Sequence, residues 1–407
     1  MISFALEEDQ QLILETVRKF AAESIRPKMR DYEKAGGLPS GLRKQFHELG
    51  LGLLDLPEAV GGQGASLVTA AIVHEELAYG DPGVAVALWA PHLAAQAIWC
   101  LGDDAQHKRL LARFADSQGH ERLGAVGYGE RNAPLEGFHT TARKQGGEWV
   151  LNGKKAFVVN GGKADLHVIF AQLGPDAQRG VGGNGGTTGW DHFGAFVVEA
   201  GNHGLKAGTR HQLLGLETVQ ASEVVMEDCR VPDANRLKGP DPFTRGVSQM
   251  FARGSLMNAA RQLGIARAAY EFALDYTQER KAFGKPVAHF QAIAFTLAEM
   301  AMDVEATRWM VWRAAAELDR GQWGIALAEA VTHANEAAWR VADNGVQLLG
   351  GAGYVKDYPS EKWLRDTKAL ALFGVPSEVA QTRVASIELG HPIASGLPSS
   401  AIQPFFT

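Results

Sequence analysis

The first part of the chain carries apolar residues at helical spacing. Ile13, Val17 and Phe20 recur at i, i+4 and i+7, which places them on one face of a helix. Helical patterns return at 67–80 and 93–102, after a loop indicated by the proline and glycines of "LGLLDLPEAVGGQGAS". We therefore predict a helical domain over residues 1–118.

The pattern changes over residues 119–237, where short apolar runs predict strands. "EWVLNGKKAFVV" (148–159) predicts a β-hairpin that turns at Asn152-Gly153, because these residues accept the positive φ angles of a tight turn. "LHVIFAQL", "FGAFVVEA" and "SEVVMEDCRV" predict further strands. The glycine-rich stretch 174–194 lacks the strand–turn–helix context of a phosphate loop, so we interpret it as a mobile surface loop.

Residues 238–392 return to long helices with little β-branching. Ile293, Leu297 and Met300 form one apolar stripe along such a helix. Helices this long and few are typical of an up-and-down four-helix bundle. Residues 393–407 contain prolines and are predicted to form a tail.

Composition and charge narrow the class of protein. The chain has 407 residues, 46% of them hydrophobic and 21% charged, which is typical of a globular protein with two or three domains. A net charge of −6 provides no basic field for nucleic acid. The acidic start "MISFALEEDQQ" lacks the features of a signal peptide, and no apolar stretch is expected to reach the roughly 20 residues of a membrane span. We expect a cytoplasmic α+β protein without a membrane partner.

The cysteines exclude two further classes. Cys100 and Cys229 are the only ones in the sequence. Two cysteines do not make a disulfide scaffold, and they leave no thiolate cluster for a metal. We therefore expect no metal site.

A corner interrupts the helical pattern near the end of the chain, in "DTKALALFGVPSEVAQ" (366–381). Gly374, Val375 and Pro376 follow one another, and a helical pattern resumes after them. Proline removes a backbone donor and glycine frees the backbone angles, so a tight turn between two helices is predicted.

At this point the sequence resembles the acyl-CoA dehydrogenase family over nearly its whole length. The runs that carry the resemblance are "LGLLDLPEAVGGQGAS", "LNGKKAFVVNGGKAD", "EVVMEDCRVP", "YTQERKAFGKPVAHFQAI", "LAEMAMDVEATR" and "VQLLGGAGYVKDYPSEKWLRD". The resemblance implies the fold: an N-terminal helical domain, a middle β-barrel-like domain and a C-terminal helical bundle. It also implies FAD as cofactor, a dimer-based tetramer, and a thioester of CoA or of an acyl-carrier protein as substrate. Active members would pass electrons to an electron-transfer flavoprotein.

The resemblance also shows where a catalytic base is missing. Dehydrogenation of a thioester needs a carboxylate that removes the α-proton while the β-hydrogen leaves as hydride to the flavin. Family members commonly carry this Glu at the corner, where the present chain has Gly374. Others place it before an arginine of an earlier helix; that arginine is similar to Arg253, and the preceding residue is Ala252. Both positions lack a carboxylate.

Other titratable residues are candidates for a displaced base. Glu378 follows Gly374 by four residues, which is one helical turn if the helix has restarted. Asp366, His92 and Glu217 are further candidates whose distance from the corner the sequence does not give. The simpler interpretation of all of them is a solvated or structural polar residue.

In this family each flavin lies between two subunits, so its contacts divide into two sets. The own-flavin positions, which would hold this chain's own flavin, are eroded in comparison with the family. Gly129 replaces a threonine, Pro134-Leu135 replaces Gly-Ser, and Val159 replaces a threonine, while Phe157 keeps an aromatic face. Pro376 and Glu378 replace the usual Thr and Gln after the corner. Because each lost buried hydrogen bond costs roughly 1 kcal/mol, a tight own site is not expected.

The donated positions, which would reach a neighbour's flavin, are intact. They are Arg280, Phe283, Gln291, Gln347 and Gly351, in the runs "ERKAFG", "HFQ" and "QLLGG". The alternative interpretation is a structural role in the bundle and its dimer interface, and this role suits Phe283 and Gly351. It suits Arg280 and Gln291 less well, because buried polar groups need partners.

The substrate pocket also differs from the family pattern. The run "DPGVAVALWAPHL" (81–93) is similar to a helix that lines the acyl channel. Trp89 would lie near the far end of the acyl chain and would shorten or plug the channel, although a core tryptophan explains it equally well.

Three functions remain open at this stage. The first is a non-catalytic subunit with a degenerate active site, which completes the flavin site of an active relative in a heteromer. The second is an FAD-dependent acyl-CoA or acyl-carrier-protein dehydrogenase, or another flavin-dependent oxidoreductase, with a displaced base such as Glu378. The third is a flavin-free scaffold that binds an acyl thioester, with a homo-oligomer as the alternative assembly.

Overall fold

The computed structural model describes residues 5–131, 138–174, 192–240, 243–322 and 324–391. The chain begins with helices, joined in part by single π and 3₁₀ turns: α1 (Glu8–Phe20), α2 (Met29–Ala35), α3 (Ser40–Glu48), α4 (Leu67–Gly80), α5 (Pro82–Leu101), α6 (Asp104–Gln106) and α7 (Ala112–Ala115). The stripe predicted in α1 faces inward, since Val17 and Phe20 are buried and Ile13 packs beside them.

Side-chain caps set the start of α4 and α5. Ser66 Oγ accepts a hydrogen bond from the backbone of Thr69, and Asp81 Oδ1 accepts one from Val84 at 2.8 Å. The apolar composition of α5 corrects an expectation from the sequence. The helix has 20 residues, and its most apolar stretch has a mean hydropathy of 1.5, so it is long and apolar enough to cross a membrane by length and composition. In this fold the helix is a core element, because 83% of its most apolar stretch is buried.

The middle of the chain forms one curled sheet of seven strands: β1 (Gly124–Gly127), β2 (Thr141–Gln145), β3 (Glu148–Val159), β4 (Leu166–Leu173), β5 (Phe193–Glu199), β6 (Leu205–Arg210) and β7 (Ala221–Pro232). β4 pairs with β5 on one edge and with β1 and the end of β2 on the other, and the sheet continues through β3 and β7 to β6. Only the contacts of β4 with β1 and β2 are parallel. The connections between these strands contain strands rather than helices, so this is not a βαβ sheet.

The predicted hairpin at Asn152-Gly153 is wrong. Residues 148–159 form the single strand β3, and the tight turn lies one strand earlier, at Gly146-Gly147 between β2 and β3. Asn152-Gly153 is instead an irregularity in the pairing of β3 with β7. The glycine is needed because a Cβ there would lie 2.5 Å from the backbone of Thr140. β1, β2 and β6 were not predicted from the sequence.

The C-terminal part is helical: α8 (Phe243–Glu279), a short hairpin of β8 (Lys281–Ala282) and β9 (Lys285–Pro286), α9 (Gln291–Asp319), α10 (Ile325–Leu349), α11 (Ser360–Leu370) and α12 (Ser377–Glu388). In α9, Leu297 and Met300 are buried as the apolar stripe predicts. α8 and α10 run parallel, because Gln262 bonds to Asn335 near their middles and Gly345 faces Ala269 farther along.

These observations confirm the predicted fold class, an α+β protein with a helical part, a curled sheet and a helical bundle. The domain limits near residues 118 and 237 stay predictions. The predicted tail at 393–407 and most of the glycine-rich stretch, residues 175–191, lie outside the described residues.

Candidate functional site

The corner between α11 and α12 is built around Gly374. Its φ of +80° belongs to the left-handed region, which glycine adopts without strain. Asn258 on α8 donates from Nδ2 to the carbonyl of Phe373 at 3.0 Å. A Cβ at Gly374 would lie 3.0 Å from Asn258 Nδ2 and 3.6 Å from Ser255 Oγ. At Gly374 the corner therefore faces an amide and a hydroxyl from α8 and offers no side chain.

The structure also shows the surroundings of the second base position. Arg253, which the resemblance placed beside that position, forms an ion pair with Asp55 at 2.8 Å, and it is not among the side chains within 4 Å of a Cβ built at Gly374. Ala252 is buried. The residues of α8 that face the corner are Ser255 and Asn258, and neither is a carboxylate.

The candidates for a displaced base lie in different surroundings. Glu378 is exposed in the first turn of α12. Glu217 pairs with Arg365 at 3.4 Å. His92 is buried, and desolvation lowers its pKa to about 4. Among the described residues, the only side chains within 4 Å of a Cβ built at Gly374 belong to Asn258 and Ser255.

Asp366, the fourth candidate, belongs to a buried ion group. Lys362 Nζ lies 2.5 Å from Asp366 and 2.6 Å from Asp81, and Asp366 also accepts the N–H of Leu216 at 2.6 Å. Burial opposes the charge on Lys362, but attraction by Asp366 and Asp81 overcomes it and raises the pKa of the lysine. This group joins α11 to the start of α5 and is structural.

The first own-flavin positions follow β1. Gly129 is exposed, and its carbonyl accepts the N–H of Ala156 at 2.9 Å. The next residue, Glu130, turns inward and pairs with buried Lys155 at 2.7 Å. Pro134-Leu135 lies outside the described residues.

The remaining own-flavin positions lie on β3 and at the corner. Phe157 has a φ of +54°, and its ring stacks on His211 with 4.3 Å between the centroids. The guanidinium of Arg131 lies 5.5 Å from the same ring. The aromatic face kept at this position is thus engaged by residues of the chain itself. Val159 is half-buried at the end of β3, while Pro376 and Glu378 are exposed beside the corner.

The donated positions are all exposed in the chain: Arg280, Phe283, Gln291, Gln347 and Gly351. Arg280 and Gln291 lie on the surface of the bundle rather than in its interior. Phe283 is 96% exposed and has a φ of +50°, so it is held outward on the β8–β9 hairpin. Within the described chain, the guanidinium of Arg280 has no ion pair.

These positions share one end of the bundle. Arg280 follows the end of α8, and the β8–β9 hairpin leads from there to Gln291 at the start of α9. Gln347 and Gly351 lie at the end of α10, which runs parallel to α8 and ends near its last turns. Tyr354, exposed by 83%, follows at this end.

Sequence reasoning missed a buried arginine next to the corner. Arg261 is 1% exposed, and its Nη1 donates to Asn258 Oδ1 at 2.6 Å. Its Cζ lies 4.6 Å from the ring centroid of Trp89, whose ring makes an edge contact with buried His74. Desolvation lowers the pKa of Arg261 to about 9. A lone cation in the apolar run "SLMNAARQLGIA" was the available signal.

No metal site accompanies this arrangement. Over the described ranges, no group of three or more His, Cys, Asp or Glu side chains could hold a metal ion. Cys100 and Cys229 are free and buried, and desolvation raises their pKa values to about 12 and about 11.

Comparisons with known proteins agree with this architecture. Three family profiles match in chain order: the acyl-CoA dehydrogenase N-terminal domain at residues 7–118, the middle domain at 130–229 and the C-terminal domain at 244–388. Together they account for most of the chain.

Individual relatives and structures match over nearly full length. An acyl-CoA dehydrogenase of Bacillus subtilis is 33% identical over 388 residues, covering 94% of this chain and 98% of the relative. The structure of butyryl-CoA dehydrogenase from Megasphaera elsdenii is 31% identical with a TM-score of 0.85, covering 95% of this chain and all of that one. A glutaryl-CoA dehydrogenase from Mycobacterium smegmatis in complex with FADH2 shares the fold at 24% identity and a TM-score of 0.84, covering 95% and 96% of the two chains. The chain therefore belongs to the acyl-CoA dehydrogenase family.

Proposed function

We propose that the chain is a non-catalytic subunit that completes the flavin site of an active acyl-CoA dehydrogenase subunit. The observation that carries the proposal is an asymmetry between the two sets of flavin positions. The donated positions are present and exposed together at one end of the bundle, whereas the own-flavin positions have lost polar side chains and the corner has no base.

FAD suits the two sets unequally. In the own set, Phe157 already stacks on His211, and Gly129 offers no hydroxyl. In the donated set, Arg280, which has no ion pair with the described residues, offers its guanidinium to a pyrophosphate, and Gln291 and Gln347 offer amides. When bound, FAD supplies the hydride acceptor for thioester oxidation. This chain would contribute to holding it, and the partner would contribute the base.

The exposed apolar side chains at the same end support an interface there. Phe283 and Tyr354 are 96% and 83% exposed, and Val355 and Tyr358 are partly exposed. Large apolar side chains concentrated at one site mark surfaces that another protein covers. In the proposed heteromer the active sister subunit covers them, and Arg280 reaches its flavin.

Co-expression with an active relative tests the proposal. We expect a yellow heteromer with half the usual flavin per chain, and a colourless product when this chain is purified alone. Replacement of Arg280 with Ala should weaken flavin retention in the heteromer about 10- to 100-fold, because charge-assisted hydrogen bonds contribute about 1.5–3 kcal/mol each. Lys281→Ala, on the same hairpin, is the matched control and should leave flavin binding unchanged.

The other functions are outcomes of the same experiment. A homo-oligomer with one FAD per subunit that is bleached by an acyl-CoA would overturn the proposal in favour of an enzyme with a displaced base. A colourless chain that binds an acyl thioester but no sister subunit would favour a flavin-free scaffold.

A further inference from the structure

Four cations are buried within the described residues: Lys155, Arg261, Arg267 and Lys362. Carboxylates neutralise three of them. Lys155 pairs with Glu130 at 2.7 Å, Lys362 with Asp81 and Asp366, and Arg267 with Glu75 and Glu76 at 2.6 and 2.7 Å. Arg261 is the exception: no carboxylate among the described residues forms an ion pair with it.

The unpaired donors of Arg261 have a defined geometry. Nη1 is used by Asn258, but Nε and Nη2 are buried without a hydrogen-bond partner. The N–H groups of Nε and Nη2 point in the same direction, along one edge of the planar guanidinium. This edge matches the two oxygens of a carboxylate in a bidentate pair. Trp89 covers a face of the guanidinium and leaves that edge unpaired.

Two further polar groups, one beside Trp89 and one at the corner, are also unsatisfied. His74 Nδ1 and Ser255 Oγ are buried and lack partners among the described residues. His74 is kept neutral at physiological pH, because desolvation and the nearby charge of Arg261 lower its pKa well below the usual value. Buried polar groups without partners are rare in folded proteins, and each needs a partner such as a bound water, an ion or a polar ligand.

We propose that Arg261 binds a carboxylate brought by a ligand into the interior of this chain, next to the corner. Asn258 connects the two sites, since its Oδ1 accepts from Arg261 while its Nδ2 donates to the carbonyl of Phe373. The carboxylate has two sources that share this chemistry: the terminal carboxylate of an acyl chain held on a thioester, or a free carboxylic acid. The inference concerns the chain's own interior and does not rest on the proposed heteromer.

Calorimetric titration of the purified full-length chain tests the proposal. The thioester arm compares glutaryl-CoA with valeryl-CoA and adipyl-CoA with hexanoyl-CoA, so that each pair has the same chain length and differs in the terminal carboxylate. The free-acid arm compares butyrate with butyramide, and chloride serves as a simple anion. We expect the carboxylate-bearing member of at least one arm to bind about 10- to 100-fold more tightly than its neutral partner.

Variants assign the effect to Arg261. Arg261→Met should abolish the preference for the carboxylate and leave binding of the neutral partner unchanged. Arg261→Lys should keep only part of the preference, because an ammonium lacks the two-donor edge. Arg313→Met, an exposed arginine on α9, is the matched control and should behave as the wild type.

The outcomes of the titrations distinguish the two sources of the carboxylate and test the proposal itself. A preference restricted to the thioester arm supports an acyl-chain carboxylate, and one shared by butyrate supports a free acid. Equal binding of both members in both arms overturns the proposal, as does chloride competing as effectively as the carboxylates. A preference that survives Arg261→Met also overturns it. If Arg261→Met folds but is too insoluble for titration, the wild-type ratios and the loss in Arg261→Lys decide.

Discussion

Lys362 and Arg261 are both about 1% exposed, yet their surroundings are opposite. Lys362 lies between Asp81 and Asp366, and these carboxylates raise its pKa against the effect of burial. Arg261 has an amide and an aromatic ring as neighbours, and desolvation lowers its pKa to about 9. The cation of the first region has counter-charges in the folded chain, whereas that of the second has none among the described residues.

We interpret the difference as a role in folding for Lys362 and a role in ligand binding for Arg261. A buried cation that is paired with carboxylates stabilises one arrangement of the elements that the ion group joins, here α5 and α11. A buried cation without a counter-charge costs free energy in the folded chain, and that cost is recovered only when an anion binds. The two regions should therefore respond in opposite ways to removal of the cation.

The largest effect is expected from Lys362→Met. The substitution leaves Asp81 and Asp366 buried without a cation, and breaking a buried pair in this way costs about 3–5 kcal/mol. The free energy of unfolding by urea should fall by that amount. Lys368→Met, on the exposed side of the same helix, is the matched control and should change it little. A Lys362→Met chain as stable as the Lys368→Met chain would remove one half of the comparison.

Arg261→Met should change stability in the opposite direction. Methionine has a similar length, and it replaces an uncompensated charge with an apolar side chain, so the ligand-free chain should gain about 1–4 kcal/mol. The exposed control Arg313→Met should shift the free energy of unfolding by about 0–1 kcal/mol, as surface pairs do. Loss of stability in Arg261→Met would mean that the arginine is compensated within the chain, which would contradict the proposed carboxylate site.

The sequence predicted elements where one local pattern decides the structure. The apolar run at 166–173 is strand β4, and the spacing of Val17 and Phe20 gives the buried face of α1. The pattern failed at Asn152-Gly153, because the same residue pair suits a hairpin turn and an irregular strand. Only the close approach of Thr140, from another segment, distinguishes them.

The site was less predictable because it depends on contacts between distant segments. Sequence similarity placed Ala252 at the second base position and Arg253 beside it, but the ion pair of Arg253 with Asp55, far away in the chain, could not be read from the sequence. The exposure of Arg280 and Gln291 depends on how the bundle ends meet. Arg261 is visible in the sequence, yet the absence of a carboxylate around it becomes apparent only when α4, α5 and α8 are packed together.

Acidification extends the comparison to His167, a buried histidine that has no ion pair among the described residues. Desolvation lowers the pKa of His167 in β4 from 6.5 to about 4. Between these values the unfolded chain binds a proton that the folded chain does not, so stability falls as the pH is lowered. The loss at pH 5 is about 2 kcal/mol for such a histidine.

His167→Gln should lose less stability than the wild type between pH 7 and pH 5, whereas the exposed control His203→Gln should match the wild type. Identical losses in all three chains would contradict a neutral, buried His167.

The smallest effect is expected at the corner. Gly374→Glu restores a carboxylate at the family's base position, but at a φ of +80° a residue with a Cβ is strained by about 1–2 kcal/mol, and the Cβ would also meet Asn258 Nδ2 at 3.0 Å. Gly374→Ala carries the same strain without the carboxylate, so the two variants should lose similar stability in urea.

Neither corner variant should reduce a dye with a saturated acyl-CoA when purified alone, because the own-flavin positions lack the polar side chains that would hold the cofactor. A missing general base accounts for about 10²–10⁴-fold in rate, which one carboxylate would restore if the rest of the site were intact. Robust dye reduction by Gly374→Glu but not by Gly374→Ala would therefore locate the whole defect at residue 374 and contradict the proposed loss of the own flavin. Turnover by the unmodified chain would direct attention to Glu378, the exposed carboxylate in the first turn of α12.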